Sequence, residues 1–259
     1  MVTAQSLNSY EIRTEENKHM FEDLKKGLYQ TFILDDNYQY FIKGIQTTLI
    51  VTVFALIVGV ILGVIVAIIR SAHDQQPERK KNIFLRLANA ICQIYLTVIR
   101  GTPMMVQLLI MWFVVWASAR ATDSNMIRCA ILAFGINSGA YVAEIIRSGI
   151  MSIDKGQMEA GRSVGLTYAT TMRCIIIPQA FKNVLPALGN ELITLLKETS
   201  VVTVIGLRDL TKGALIIQSK TYQAFVPFFA IAGIYLVMVL GLSWLMGKLE
   251  RRLRQSDLR

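Results

Sequence analysis

Ionisable and amide side chains stand inside stretches of this sequence that are otherwise apolar. Glu191 and Glu198 lie seven residues apart, so both fall on one face of a helix, and Lys197 lies beside them. Glu144 follows Asn137 by seven residues in a second such stretch. A charged group at the centre of a membrane span costs about 2.5 to 3.5 kcal/mol on insertion scales unless it faces protein or water. The pattern therefore indicates either a polar site at membrane depth or ion pairs between helices.

The composition indicates that these stretches lie in lipid. Of the 259 residues, 53% are hydrophobic and only 17% are charged, against roughly 25% charged in an average soluble domain. The run 45–69 contains no charged residue and is longer than the roughly 20 apolar residues that cross the hydrocarbon. Four further spans are predicted at 104–119, 126–146, 189–207 and 224–246.

A break in the chain is expected near residues 100–103. The segment 87–119 is too long for one straight span at 1.5 Å per residue, and Pro103 interrupts it. The part before the break is either a cytoplasmic lead-in or an interfacial helix.

The distribution of Lys and Arg predicts the orientation. Basic residues are concentrated in 70–86, 147–182 and 248–259, and such segments stay in the cytoplasm. Five spans with the N-terminus outside and the C-terminus in the cytoplasm satisfy this pattern. Most of the residues that give the net charge of +9 then face the cytoplasm, and no nucleic-acid partner is needed to explain that charge.

The fold class predicted is therefore an all-α membrane protein with three regions. Residues 1–43 are an extracytoplasmic segment, in which 20–34 form an interfacial helix with an apolar face of Phe21, Leu24, Leu28 and Phe32. Residues 44–247 form the membrane domain, and residues 248–259 form a basic cytoplasmic tail.

The sequence lacks the motifs of several enzyme classes. It contains no HExxH, GxSxG or GxxxxGK[ST], so a zinc protease, a serine hydrolase and a self-contained ATPase are unsupported. Three isolated cysteines, Cys92, Cys129 and Cys174, are expected to be small buried side chains. No catalytic residue, cofactor or metal ligand is predicted.

A polar segment between the third and fourth predicted spans has its own helix signals. Asp154 suits an N-cap, and Gly165 stands where a left-handed C-cap belongs. Thr167 suits the cap of a second helix, which Pro178 is expected to end. The segment is therefore predicted to be two short helices joined at a tight corner.

Little side-chain bulk is present near the end of the first of these helices, at Ala160 and Gly161. Another protein's surface could therefore approach the corner closely. A loop of this length without a function is uncommon, and its internal caps are unlike a flexible linker.

The spacing within this segment resembles a known motif. Glu159-Ala160-Gly161 is followed after three residues by Gly165, and after nine more by Ile175-x-Ile177-Pro178. This is similar to the EAA loop of ABC importer permeases, EAA-x3-G-x9-I-x-L-P. Gly161 replaces the third Ala of that pattern, and Ile177 replaces the Leu.

Other stretches resemble the polar amino-acid uptake branch of that family, the histidine-, glutamine- and arginine-type permeases. They are RGTPMMVQLLIMWF at 100–113, NSGAYVAEIIRSGI at 137–150, LGNELITLLKETSVVTVIGLRDL at 188–210 and TYQAF at 221–225. With the loop, the resemblance covers nearly the whole chain from Lys43.

The resemblance implies a permease subunit that forms half of a translocation pathway in the bacterial cytoplasmic membrane and works by alternating access. Its expected partners are ABC ATPase subunits, an extracytoplasmic solute-binding protein, and a second permease subunit that is identical or different. ATP hydrolysis is then expected in a separate subunit, so the chain itself is not an enzyme. The coupling loop, about 150–187, would contact the ATPase through Glu159, Ala160, Gly161, Gly165 and Pro178, and residues 208–222 would contact the binding protein outside.

A polar amino acid carries an ammonium and a carboxylate, so a pathway offering both signs and amides suits it. The candidate pathway residues are Gln107, Asn137, Glu144, Glu191, Lys197, Glu198, Thr199 and Ser200. A structural interpretation competes at each position, since Glu144 could neutralise Arg100 or Arg147, and the amides and hydroxyls could bridge helices. A membrane channel or receptor subunit without ATP coupling is the alternative function, and it would need no docking loop.

Overall fold

The structure, a computed structural model, describes residues 21–75 and 82–255, and these residues form helices joined by short connections, without a β-strand. The α-helices are α1 (residues 21–32), α2 (Tyr38–Gln75), α3 (Ile83–Gly101), α4 (Met104–Ile110), α5 (Asp123–Met151), α6 (Lys155–Ser163), α7 (Tyr168–Thr171), α8 (Ile177–Glu198), α9 (Leu210–Thr221) and α10 (Phe225–Gln255). Wider π-helical turns follow α4 and α7, at Met111–Val115 and Met172–Ile176, and a 3-10 helix, Thr199–Ile205, follows α8.

Four helical stretches among the described residues are long and apolar enough to cross a membrane: Leu34–Asp74, Ile83–Gly101, Asp123–Met151 and Phe225–Arg252. Two of them contain the predicted spans 45–69 and 126–146, and the last covers the predicted span 224–246 from Phe225 onward. The predicted span 104–119 is a shorter apolar helix that ends at Val115. The predicted span 189–207 is not one continuous α-helix, because α8 ends at Glu198 and the chain continues as a 3-10 helix.

The expected break near residue 100 is confirmed. Helix α3 ends at Gly101, Thr102 is extended, and Pro103 is the N-cap of α4. Proline disfavours helical geometry in the residue before it, which explains why α3 and α4 are separate.

The expectation that Pro178 ends a helix is wrong. Helix α7, the π-helical turn Met172–Ile176 and α8 follow one another without an interruption, and Pro178 lies in the first turn of α8. A proline has no N–H to donate and crowds the carbonyl one turn earlier, so a widened turn just before it lets the helix continue. Residues 177–187 of the predicted loop therefore belong to α8.

Helices α2 and α5 form the centre of the fold, and they touch at backbone distance. Gly59 and Gly63 form a GxxxG pattern on α2, and a Cβ at Gly63 would lie 2.6 Å from Val142 Cγ1. Gly135 and Gly139 form a second GxxxG on α5, where a Cβ at Gly135 would lie 2.6 Å from Val58 Cγ1. Lipid is as apolar as the helix surfaces, so the hydrophobic effect does not hold helices together in a membrane. Small residues at this spacing instead let two helix backbones approach closely and pack.

The remaining helices pack around this pair. Side chains of α4, α5 and α8 bury Phe134, Leu108 and Leu195 in the main apolar cluster, while Cys92 and Leu96 of α3 pack on α2 and α5 in a second one. A third cluster joins the start of α2 to α9 and α10.

Helix α9 is fitted tightly onto the start of α2. A Cβ at Gly44 would lie 2.6 Å from the Cα of Leu210, and one at Gly213 would lie 3.0 Å from the carbonyl oxygen of Tyr40. The C-cap of α9 is Tyr222, which has a left-handed backbone conformation with φ 54°. Left-handed geometry costs a non-glycine residue roughly 1 to 2 kcal/mol.

The predicted helix before the first span is confirmed as a helix at residues 21–32. Its apolar residues Phe21, Leu24 and Leu28 are exposed, whereas Phe32 packs on Phe41 with ring centroids 5.3 Å apart. Its location at a membrane interface stays a prediction.

We predict that Gly63→Leu will destabilise the protein, because the new side chain must separate α2 from α5. Overpacking of this kind costs about 1 to 3 kcal/mol. Gly241→Leu in α10 is the matched control, since a Cβ there meets nothing within 4 Å. Thermal unfolding of the purified variants in detergent is the measurement, and equal midpoints for the two variants would contradict the proposed contact.

Candidate functional site

A capped corner, residues 154–167, joins α6 to α7 at one end of the molecule. Asp154 is the N-cap of α6, and its Oδ1 accepts the N–H of Gly156 at 2.7 Å. At the other end Gly165 has φ 87°, its N–H donates to the Arg162 carbonyl, and the N–H of Leu166 donates to the Gly161 carbonyl, both at 3.1 Å. These two bonds form a Schellman motif, so the predicted caps at Asp154 and Gly165 are confirmed.

Thr167 caps α7 as predicted, since its Oγ1 accepts the N–H of Thr170 at 3.2 Å. Gly161 is buried, and a Cβ there would lie 2.5 Å from Thr171 Cγ2, so its small size lets α6 pack closely on α7. Its expected part in the contact with an ATPase subunit stays a prediction. The corner instead exposes Glu159, Ala160 and Val164, the last with 77% of its surface accessible.

An apolar cavity of about 460 Å³ lies between the second half of the corner region and α2. Val64 and Ala67 of α2, Met172 of the π-helical turn and Phe181 of α8 line it, together with Tyr168. Burial raises the pKa of the Tyr168 hydroxyl above its ordinary value. The corner is joined to α5 by residues 152–154 and to α8 through α7 and the π-helical turn, and the cavity separates the corner region from α2.

Glu144 lies in an arginine cluster, which we define as Arg70, Arg100 and Arg147 around this carboxylate. Its oxygens are 3.5 Å from Arg70, 3.8 Å from Arg100 and 3.5 Å from Arg147. These distances exceed the 2.7 to 2.9 Å of close charge-assisted hydrogen bonds. Three guanidinium groups from three helices thus share one half-buried carboxylate.

The arginine cluster extends to further groups. Asp74 pairs with Arg147 at 3.5 Å, and the Arg100 guanidinium lies 5.7 Å from the centroid of the exposed Tyr141 ring. The cluster joins the C-terminal ends of α2, α3 and α5. It offers positive charge, negative charge and an aromatic face to one region of the surface.

Gln107 and Asn137 hold the break between α3 and α4. The Gln107 Nε2 donates to the carbonyl oxygens of Ile99 at 2.8 Å and Thr102 at 3.1 Å, which α3 leaves unpaired at its end. Asn137, which is buried, donates from Nδ2 to the Gln107 Oε1 at 3.0 Å. A cavity of about 270 Å³ opens beside this pair, lined by Thr102, Gln107 and apolar side chains.

The other candidates lie on or just after α8. Glu191 accepts a hydrogen bond from Ser138 of α5 at 2.7 Å. Lys197 is exposed, Glu198 and Ser200 are partly buried, and Thr199 is fully buried with its hydroxyl donating to the Leu196 carbonyl at 2.7 Å. The eight candidate residues are therefore distributed over three places rather than one site: the arginine cluster, the α3–α4 break and α8.

Two polar faces were not recognised from the sequence. On α8 the exposed residues Asn183, Asn190, Thr194 and Lys197 follow one another at seven, four and three residues, which places them on one side of the helix. We call this row the α8 stripe. On α3 the exposed Gln93, Thr97 and Arg100 form a similar row beside an exposed apolar face. The signal was the helical spacing of polar residues, most of them uncharged, which single-residue searches for charges overlook.

No group of His, Cys, Asp and Glu in the part of the chain that the structure describes is arranged to hold a metal ion. Cys92 and Cys129 are buried as predicted, but Cys174, in the π-helical turn, is exposed.

A family profile described as "Binding-protein-dependent transport system inner membrane component" matches residues 82–255. The chain is 42% identical over 167 residues to the arginine transport system permease protein ArtQ of Bacillus subtilis, covering 64% of this chain and 76% of that protein. It is 38% identical over 168 residues to the glutamine transport system permease protein GlnP of Escherichia coli K12, covering 65% and 77%.

Solved structures agree with this relationship. The crystal structure of an amino acid ABC transporter with histidines contains a chain with a TM-score of 0.74 and 44% identity, covering 83% of this chain and 94% of that one. An inward-facing structure of the MetNI methionine ABC transporter has a TM-score of 0.68 at 17% identity, covering 85% and 99%, and shows the shared fold. The chain therefore belongs to the family of binding-protein-dependent transport system inner membrane components, and it is a permease subunit of an ABC importer.

Proposed function

We propose that this permease forms half of the translocation pathway of an ATP-driven importer of polar amino acids. The observation that carries the proposal is the capped corner, which is closed by hydrogen bonds at both ends of α6 and exposes Val164 at the basic end of the molecule. The similar proteins support the substrate class, since two are named arginine and glutamine permeases and one solved relative is an amino acid transporter.

The proposed topology has five spans. The arginine cluster supports it, because contacts between Arg70 or Asp74 and Glu144 or Arg147 put the C-terminal ends of α2 and α5 on the same side. The broken α3–α4 element then returns the chain to the other side between them. Helix α8 and its 3-10 extension form the fourth span, and α10 forms the fifth.

The basic end is assigned to the cytoplasm by the distribution of Lys and Arg. The three predicted regions, 1–43, 44–247 and 248–259, are retained as a proposal with one adjustment. Residues 248–255 continue α10 as a helix, and Lys248 lies 5.2 Å from the ring centroid of Trp244. The N-terminus is then external, and the protein lies in the bacterial cytoplasmic membrane.

The corner is the proposed contact with a separate ATPase subunit. A surface that transmits force must not deform, and the caps of α6 and the contact between Gly161 and Thr171 make this one stiff. Glu159, Ala160 and Val164 form its exposed contact surface. Gly165 keeps the corner tight, and Pro178 follows the π-helical turn through which the corner joins α8.

Motion of the corner would reach the membrane domain through α8. This helix packs on α5 where Gly149 contacts Val184, and again where Ser138 bonds to Glu191. A displacement of α8 therefore acts on α5 at two levels, which suits alternating access.

The α8 stripe and the similar polar row on α3 are the proposed walls of the pathway. Polar side chains exposed at membrane depth require water or protein beside them, and a pathway between two permease subunits, identical or different, supplies both. Glu144 would contact the ammonium group of the substrate, and Arg100 would contact its carboxylate. Lys197, Glu198 and Glu191 would make contacts of the same kinds at a different depth in the membrane. Gln107, Asn137, Thr199 and Ser200 would shape the walls, because the first three bond within the protein.

We predict that Glu159→Lys and Gly165→Val will uncouple ATP hydrolysis from transport. Lys at 159 reverses the charge of an exposed side chain. Val at 165 strains a backbone with φ 87° by roughly 1 to 2 kcal/mol, and a Cβ at this position meets nothing within 4 Å. ATPase activity and amino-acid uptake are measured in the same vesicles, reconstituted with the ATPase subunits and the binding protein.

Both variants should lose the ATPase subunits or the stimulation by the loaded binding protein. Gly247→Val in α10 is the control, since a Cβ there also meets nothing within 4 Å. Wild-type stoichiometry, stimulation and uptake in both corner variants would show that the corner is not the coupling element.

We predict that Glu144→Gln will leave the complex assembled and lower uptake, since the amide keeps the shape but leaves three guanidinium groups without their shared charge. Subunit stoichiometry on a gel and initial uptake rates are the measurements. Loss of the complex from membranes would assign Glu144 a structural role, and normal uptake would remove it from the pathway.

A further inference from the structure

An apolar groove runs beside the corner region and along the adjoining helices. It is the cavity of about 460 Å³ described above, and it lies between α2, α5 and the continuous helix formed by α7, the π-helical turn and α8. Its floor includes the buried Ala67 and Ala180, whereas Val64, Ile68 and Phe181 at its sides are exposed. Small residues on the floor and larger ones at the rims make this surface concave. We call it the α2–α8 groove.

The α2–α8 groove has the length and volume of one hydrocarbon chain of a lipid. Its lining extends along α2 from Val60 to Ala72, which is about 18 Å at 1.5 Å per residue. One leaflet contributes half of the roughly 30 Å hydrocarbon core, or about 15 Å. A dry apolar cavity of about 150 Å³ holds one benzene molecule. By the same scale, the groove's volume of about 460 Å³ suits a chain of roughly 16 to 18 carbons.

The α2–α8 groove does not face the proposed pathway. On α8 its lining residues Ile177, Phe181, Val184 and Leu188 form one face of the helix. The α8 stripe lies more than a third of a turn away from that face, at about 3.6 residues per turn. On α2 the exposed Ile61 continues the apolar rim outward. Because lipid tails are as apolar as these side chains, lipid suits the groove better than the polar pathway does.

The polarity of the α2–α8 groove changes along its length. Ser71 near the end of α2 and Tyr168 at the start of α7 supply hydroxyl groups to its lining, and tyrosine is frequent at membrane interfaces. The exposed Arg173 directly follows the lining residue Met172 in the chain. The opposite end, at Val60, is apolar. This order matches a lipid whose tail lies in the groove and whose headgroup lies near the corner.

We propose that the α2–α8 groove binds one acyl chain of an anionic phospholipid from the cytoplasmic leaflet. The choice of leaflet rests on the proposed function, whose topology puts the corner in the cytoplasm. Basic residues attract the negative headgroups of that leaflet. Arg173 supplies such a charge beside the groove, at the end of the molecule where Lys and Arg are concentrated.

A bound acyl chain would connect two parts of the permease that the groove separates. One wall of the groove is α2, half of the central pair, and another is the helix that leads from the corner into the membrane. A chain between these walls gains dispersion contacts with both. It binds more tightly to the arrangement of the walls that fits it better, so lipid occupancy biases the position of the corner relative to α2.

The test uses the complete complex, purified in detergent and mixed with phosphatidylglycerol that carries a photoreactive group at the end of one acyl chain. Light should attach this probe at the apolar end of the groove, near Val60 or Leu188, and mass spectrometry of the digested protein locates the attachment. Ala180→Phe fills the floor and should lower the labelling about tenfold. Ala232→Phe, on the exposed side of α10, is the matched control and should not lower it.

Two further measurements separate binding from folding. Phosphatidylglycerol should raise the thermal unfolding midpoint of the wild type and of Ala232→Phe, but not that of Ala180→Phe. Arg173→Gln changes an exposed side chain, so it should fold normally. It should lower labelling by the anionic probe several-fold and leave labelling by the same chain on zwitterionic phosphatidylethanolamine unchanged, which decides the matter if Ala180→Phe is unstable without lipid.

Labelling spread over the exposed faces of α2, α3 and α10, and unchanged by Ala180→Phe, would show contact with bulk lipid only and would overturn the proposal. Equal labelling by the two headgroups would overturn the assignment to an anionic lipid. A photoreactive amino acid at position 181 that joins to another subunit would assign the groove to a protein partner, with the same consequence. Reaction of the exposed Cys174 with an impermeant maleimide from outside intact cells would instead contradict the proposed topology, and it would overturn the choice of leaflet alone.

Discussion

Backbone contact between α2 and α5, through Gly59 and Gly63 on one helix and Gly135 and Gly139 on the other, is the interaction on which the rest of the structure depends. It sets the helices close enough for Glu144 of α5 to lie 3.5 Å from Arg70 of α2. The other contacts follow from it, because α3 packs on both helices, α8 packs on α5, and α9 packs on the start of α2. In lipid such a contact is stabilised by close packing rather than by the exclusion of water, so its shape matters more than its apolar area.

The central pair, α2 and α5, is contacted by two other parts of the protein at opposite ends. The capped corner connects to α8 through a continuous helix, and α8 contacts α5 at Gly149 and Ser138. Helix α9 contacts the start of α2 through Gly44 and Gly213. An importer must couple transport to a supply of energy from inside, and the proposed function assigns that role to the corner. The corner region is joined to both α5 and α8, and an apolar cavity of about 460 Å³ separates it from α2.

The family, the helical fold and the caps of the corner could be predicted from the sequence, because Asp154, Thr167 and Gly165 act through local backbone geometry. The break at Pro103 is also local and was predicted.

The course of the chain at Pro178 was not predicted, because the π-helical turn before it depends on how α7 joins α8. The contact between Gly161 and Thr171 was not predicted for a related reason, since the two residues are neighbours only in the folded corner. The GxxxG patterns at 59–63 and 135–139 were present as a signal, but their pairing with each other required the structure. Glu144 illustrates the limit for charges, since the sequence offered two arginines as partners and the fold supplies three.

The central claim is that energy enters this permease at the capped corner, and one cross-linking measurement tests it most directly. A cysteine replaces Val164, the most exposed apolar residue of the corner, in a protein in which the exposed Cys174 has been changed to serine. Cross-linking in the complete complex should join position 164 to the ATPase subunit with high yield and should change with bound nucleotide. A cysteine at Tyr29, on α1, should give no such product. Efficient cross-linking of the ATPase from position 29, or none from position 164 in a complex that hydrolyses ATP, would contradict the account.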